Sequence, residues 1–135
     1  MIKVGICADN KVAERLKKYL LEGQYRVDEI RLSIYQDADE MLGLFDDKED
    51  SPNLIFCDIT ESSETLKNIR KRNADVDIVI LVPQNSNMVD MILYQAFAIL
   101  TYPVKSKSVK NVIERYTDYK SSDKNIYTVD RKSVV

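Results

Sequence analysis

The sequence predicts an α/β protein built on a doubly wound, five-stranded parallel sheet. Three observations carry that expectation. Short apolar runs of strand length recur five times, and segments with helical spacing lie between them. The central runs are apolar at successive positions, as strands covered by helices on both faces must be. With 135 residues, 44% of them hydrophobic and 31% charged, the chain has the length and balance of one compact globular domain.

The five runs are "IKVGIC" (2–7), "EIRLSIY" (29–35), "NLIFCD" (53–58), "DIVILV" (77–82) and "FAILTY" (97–102). After the first, Val12, Leu16 and Leu20 fall at i, i+4 and i+8 on one helix face. Ala38, Met41, Leu42 and Phe45 repeat the rule after the second run, and Leu66 and Ile69 mark a third, short helix. Met88, Met91, Ile92 and Gln95 suggest a fourth, and Val109, Val112, Ile113 and Tyr116 a fifth. Ser, Asn or Asp precedes each, a residue type whose side chain accepts from the open amides of a first turn. Such alternation demands right-handed crossovers between parallel strands, hence helices on both sheet faces. Beyond the last helix, "YKSSDKN" (119–125) is polar and turn-rich, and "IYTVDRKSVV" (126–135) alternates like a new strand.

Composition excludes several functions. The net charge of -2, with a pI near 5.2, gives no basic footprint for nucleic acid. No apolar run approaches the roughly 20 residues of a bilayer span, so no membrane association is expected. Met1 leads directly into "IKVGIC" without a secretory pattern, and a cytoplasmic location is expected. Histidine is absent, which removes Ser-His and Cys-His pairs, histidine bases and most zinc sites. Three glycines and no phosphate-loop pattern make a nucleotide-binding or enzymatic reading the poorest one. Cys7 and Cys57, each inside an apolar run, read as buried thiols.

Ligand sites in doubly wound sheets lie outside the carboxyl ends of the strands. The stretch "NLIFCDITESS" (53–63) puts Asp58 at such an end, and Asp9 follows the first strand. Position alone leaves Asp58 two roles, a cap for the next turn or a working carboxylate on the rim.

Four segments, "MIKVGICADN", "LIFCDI", "DIVILV" and "YQAFAILTYPV", give residues 1 to about 120 a resemblance to the receiver domain of bacterial two-component response regulators, most of all the LytTR (LytR/AlgR) type. The resemblance implies a flavodoxin-like sheet of order 2-1-3-4-5 and a regulatory, non-enzymatic role. It also implies a homodimer and a histidine kinase as phosphoryl source. DNA would be contacted only through a C-terminal domain outside this chain. By the same resemblance Asp58 falls on the phosphoacceptor, and Mg²⁺ would be held by Asp9, Asp58 and the backbone carbonyl of Thr60.

Several of the family's working positions carry other residues. The first acid of the pair after strand one is Ala8, the hydroxyl residue ending strand four is Val82, the aromatic switch residue is Ile99, and the lysine before the proline is Tyr102. The loop "ITESSETLKNIR" replaces a segment about four residues longer. Two carboxylates about 4 Å apart repel by roughly 4 kcal/mol at an effective dielectric of 20, which draws in a cation, and losing one acid at position 8 lowers that pull. Mg²⁺ would therefore bind only weakly. Tyr102 brings a neutral hydroxyl where a full counter-charge is needed, and Val82 brings none. Ser86 is an outside substitute for the missing hydroxyl but is better placed as a helix cap.

These changes point to a pseudo-receiver with weak or no phosphorylation control; the alternative is a phospho-accepting receiver using Asp58 and Mg²⁺. Contact would then be the surviving function, and Met88, Met91, Ile92 and Tyr94 offer more apolar surface than one buried helix face needs. Tyr102-Pro103 is expected to be cis, with a trans proline that merely stops strand five as the other reading. Residues 121–135 are expected to be a linker and the truncated start of a following, LytTR DNA-binding, domain; an appended strand or disordered tail is the rival.

Overall fold

The computed structural model describes residues 2–23, 25, 29–35, 40, 43, 51–58, 63–72, 75–83 and 96–134, with backbone alone for 63–66, 72 and 121–134. Five strands, β1 (Ile2–Cys7), β2 (Ile30–Tyr35), β3 (Leu54–Asp58), β4 (Asp77–Val82) and β5 (Ala98–Thr101), form one parallel sheet in the order β2-β1-β3-β4-β5. The described helices are α1 (Asn10–Glu22), α2 (Ser63–Arg72) and α3 (Ser106–Val134). The sheet is the flavodoxin-like receiver fold, and each strand lies within two residues of its sequence run. The expected helices around Ala38–Phe45 and Met88–Gln95 fall largely or wholly outside the described residues.

Side chains alternate between the two faces of a strand, and this parity builds two separate cores. On one face Leu54 and Phe56 of β3 join Val4, Ile6, Val79 and Leu81 against Ala13, Leu16 and Leu20 of α1 and Val109, Val112, Ile113 and Tyr116 of α3. On the other, Ile55 and Cys57 join Ile78, Ile80 and Val82 against Ile69 of α2. Burying each large apolar side chain contributes about 1.5–3 kcal/mol, so strands β3 and β4, apolar on both faces, have to lie centrally. β2, mostly exposed or half-buried, takes an edge. No polar side chain is buried among the described residues.

Helix α1 buries Ala13, Leu16 and Leu20 and half-buries Val12, a slight rotation of the expected face. It closes where the Gly23 amide and the Tyr25 hydroxyl both donate to the Tyr19 carbonyl, at 3.1 and 2.7 Å.

The end of the chain corrects the sequence reading. Residues 119–125 do not turn and 126–134 do not form a strand; α3 runs unbroken for 29 residues to Val134. Between Ser106 and Val134 there is no glycine or proline, so nothing stops a helix already nucleated against the sheet, and propagation satisfies one backbone bond per residue. The cysteines also differ: Cys57 is buried but Cys7 is only half-buried, and neither forms a disulfide.

Gly5 lies in β1 where a Cβ would come within 2.9 Å of the Tyr35 ring and 3.4 Å of Pro52. Gly5→Ala is therefore expected to lower stability by about 1–3 kcal/mol through overpacking, seen as a lower urea midpoint with an unchanged m-value. An unchanged midpoint would mean that the Tyr35 ring moves aside without cost.

Candidate functional site at the carboxyl rim of the sheet

Chain order reverses between β1 and β3, which are adjacent and parallel with Cys7 level with Cys57. One step further, Ala8 comes level with Asp58. This is the crevice where open parallel sheets place ligands. Parity along β3 puts Asp58 on the same face as Leu54 and Phe56, towards α1 and α3, and it is half-buried.

Asp9 is the N-cap of α1. Its backbone is extended, with φ -64° and ψ 163°, and its Oδ1 accepts from the Val12 amide at 3.0 Å. Capping by Asp contributes about 1 kcal/mol and favours the negative charge at the positive end of the helix. Asp9 thus has a structural task beside any role at the rim.

The centre of the site is a contact between Asp58 and Tyr102. The Tyr102 hydroxyl donates to Asp58 Oδ2 at 2.5 Å, within the short range of hydrogen bonds to an ionised acceptor. Tyr102 is placed by backbone geometry: its amide donates to the Val82 carbonyl at 2.9 Å, extending the β4–β5 pairing by one residue, and a cis bond to Pro103 follows. β3 and β5 are not neighbours. At about 4.8 Å per strand spacing their axes lie roughly 10 Å apart, and a tyrosine side chain is long enough to cross the end of β4 and close that gap.

Burial raises the Tyr102 phenol far above its ordinary pKa of 10.0, and the hydrogen bond to Asp58 and the charges of Asp58 and Asp9 add to the shift. The ring is therefore a neutral donor throughout the physiological range. The charge of Asp9 is a lesser contributor than Asp58, whose carboxylate bonds the hydroxyl directly.

The remaining candidates fall into two groups. Val82 is fully buried at the end of β4, Ile99 is half-buried in β5, and Ala8 is half-buried against the core on the α1 side of the sheet. Thr60, Ser86, Met88, Met91, Ile92 and Tyr94 lie outside the described residues. Among the described residues no three Asp, Glu, Cys or His side chains gather as a metal centre. Asp9 and Asp58 each have one oxygen engaged, which leaves at most one further oxygen per carboxylate. Such a donor set suits a mostly hydrated, loosely held Mg²⁺.

Sequence reasoning treated Tyr102 as a lost lysine and missed its bond to Asp58. The available signal was that a phenol two strands away is the one neutral side chain with both the length and a terminal donor to reach that acid. It also missed a cleft of about 590 Å³ between the end of α1 and the start of α3, lined by Tyr19, Glu22, Tyr25, Ser106, Lys107 and Lys110.

No protein-family model matches the chain, and no curated protein matches it in sequence. Solved structures do match in fold. NtrX from Brucella abortus superposes with a TM-score of 0.77 at 17% identity, covering 99% of this chain and 30% of that one. A CheY-like response regulator receiver domain from Methanospirillum hungatei JF-1 gives 0.74 at 20% identity over 91% and 98% of the two chains. The response regulatory domain of mrkE from Klebsiella pneumoniae gives 0.70 at 20% over 90% and 99%. The chain thus spans about three-tenths of the NtrX polypeptide and nearly all of the isolated receiver domains.

A phenol held protonated by the fold stabilises fully below the unfolded pKa near 10 and progressively less above it, because the folded state then binds the extra proton. Removing the hydroxyl in Tyr102→Phe is expected to cost about 1.5–3 kcal/mol at neutral pH, the range for a hydrogen bond to a charged group. The gap in urea-unfolding free energy between wild type and variant should shrink from about pH 9 to about pH 11.5. A gap that is absent, or independent of pH, would show that the hydroxyl does not bond Asp58 in solution.

Proposed function

We propose that the chain is a receiver-type regulatory module of a LytTR-kind transcriptional regulator, acting by contact and dimerisation, with weak or no phosphorylation control. The observation that carries this reading is Val82: fully buried and apolar at the end of β4, where a phosphorylated Asp58 would need a hydroxyl to draw the adjoining loop inward. Ala8, Ile99 and Tyr102 support it, since each takes a working position of the receiver resemblance without its chemistry. The receiver fold of the neighbouring structures supports the regulatory and non-enzymatic part.

Partners follow from the same reading. A second copy of the chain is the first. The interface expected around Met88, Met91, Ile92 and Tyr94 falls outside the described residues; on α3, Tyr119 is 47% exposed and Arg115 and Lys120 lie over the Phe97, Tyr116 and Tyr119 rings. DNA would be reached through a following domain, consistent with the small share of NtrX that the chain spans. A phospho-accepting receiver served by a histidine kinase is the second reading, favoured by the placement of Asp58 at the end of β3 and of Asp9 directly after the adjacent β1.

Incubation with acetyl phosphate and Mg²⁺, followed by intact mass and sedimentation, separates the two. In that reaction an Asp58 oxygen would attack phosphorus, the new O–P bond forming as the anhydride P–O bond breaks and acetate leaves. Little mass gain and an unchanged association state are expected. Stable, stoichiometric modification of Asp58 that alters dimerisation would overturn the contact-only reading.

A further inference from the structure

We infer that Tyr102 is a built-in latch on Asp58, its hydroxyl holding Oδ2, so that the rim is closed by the chain's own side chain in place of a ligand. This deepens the reading of Asp58 as the phosphoacceptor position and rests on it. Where that reading explains why a phosphoryl group could not be converted into movement, the latch explains why none would be accepted.

Three features of the geometry converge. The first is the bond itself, 2.5 Å from a neutral phenol to a carboxylate. An oxygen whose lone pair is committed to so short a hydrogen bond is a poorer nucleophile and a poorer cation ligand. The second is placement. Tyr102 is fixed at its amide by the Val82 carbonyl, and its half-buried side chain packs against the core layer that α1 and α3 cover, so backbone and side chain both hold the hydroxyl at the acid. The third is charge. The hydroxyl presents its positive end to Asp58, and a neutral donor at the acid lowers the pull that an uncovered carboxylate exerts on a cation.

The latch also ties the sheet together. It joins β3 to β5 across β4, coupling the acid to the edge strand that leads into α3. A partner seated against β5 and α3 would bias the bond, and opening the bond would loosen the strand end. Control would then run from contact surface to acid, the reverse of a phosphorylation-driven switch.

The test compares wild type, Tyr102→Phe, Tyr102→Ala and the double variant Tyr102→Ala/Asp58→Asn, each treated with acetyl phosphate and Mg²⁺ and followed by intact mass. Tyr102→Ala is expected to gain phosphoryl at least 10-fold faster than wild type, Tyr102→Phe by an intermediate factor, and the double variant not at all. A second measurement, hydrogen exchange at the Tyr102 amide, should speed up at least 10-fold in Tyr102→Phe while β1 and β3 amides keep their protection. It decides the matter even if Tyr102→Ala does not fold. Rates within 2-fold of an inert wild type, with unchanged Tyr102 exchange, would overturn the latch and leave the contact-only function standing. Rapid modification of the wild type itself that shifts its association would instead overturn the function reading, so the two failures are distinguishable.

Discussion

A carboxylate can sit at the end of β3 only because the sheet is parallel and covered on both faces. The strand "LIFCD" is buried residue by residue until its last position, so the first polar side chain emerges at the carboxyl rim, beside the point where chain order reverses. Everything at the site follows from that constraint. Asp9 reaches the same rim because β1 is the adjacent parallel strand, and Tyr102 reaches it because β5 ends level with β4. The acid is held half-buried, where one short hydrogen bond is worth more than it would be in water.

The chemistry of that bond separates this rim from one built for phosphoryl transfer. A lysine would bring a full positive charge and leave the carboxylate ionised and open to exchange between a cation and an anion. A phenol brings one proton at a fixed distance and no charge, so it satisfies the acid without preparing it for a phosphate. Val82 and Ile99 nearby are apolar as well. The described surface beside them carries the long α3, its ring cluster with Tyr119 exposed, and the edge strand that the Tyr102 bond ties to the acid.

Much of the fold was legible in the sequence because apolar runs and helical spacing are local signals that burial then enforces. "DIVILV" has nowhere to go except the centre of a covered sheet, and Val109, Val112, Ile113 and Tyr116 mark one helix face. That Asp58 ends β3 and Asp9 follows β1 was legible for the same reason, since a polar residue ending such a run must surface at the rim. Two things were not. The segment 126–134 alternates as a strand would, but with no glycine or proline to stop it the preceding helix continues through it. The bond from Tyr102 to Asp58 joins residues 44 apart in sequence and two strands apart in space, and no local pattern encodes such a reach.

The central claim is that Asp58 is occupied by a hydroxyl of its own chain, and the hydroxyl proton reports this directly. In proton NMR spectra at low temperature, one tyrosine hydroxyl should appear far downfield of the others and exchange slowly with water, and it should vanish in Asp58→Asn while the backbone spectrum is retained. No such resonance in the wild type, or one that persists unchanged in Asp58→Asn, would contradict the account.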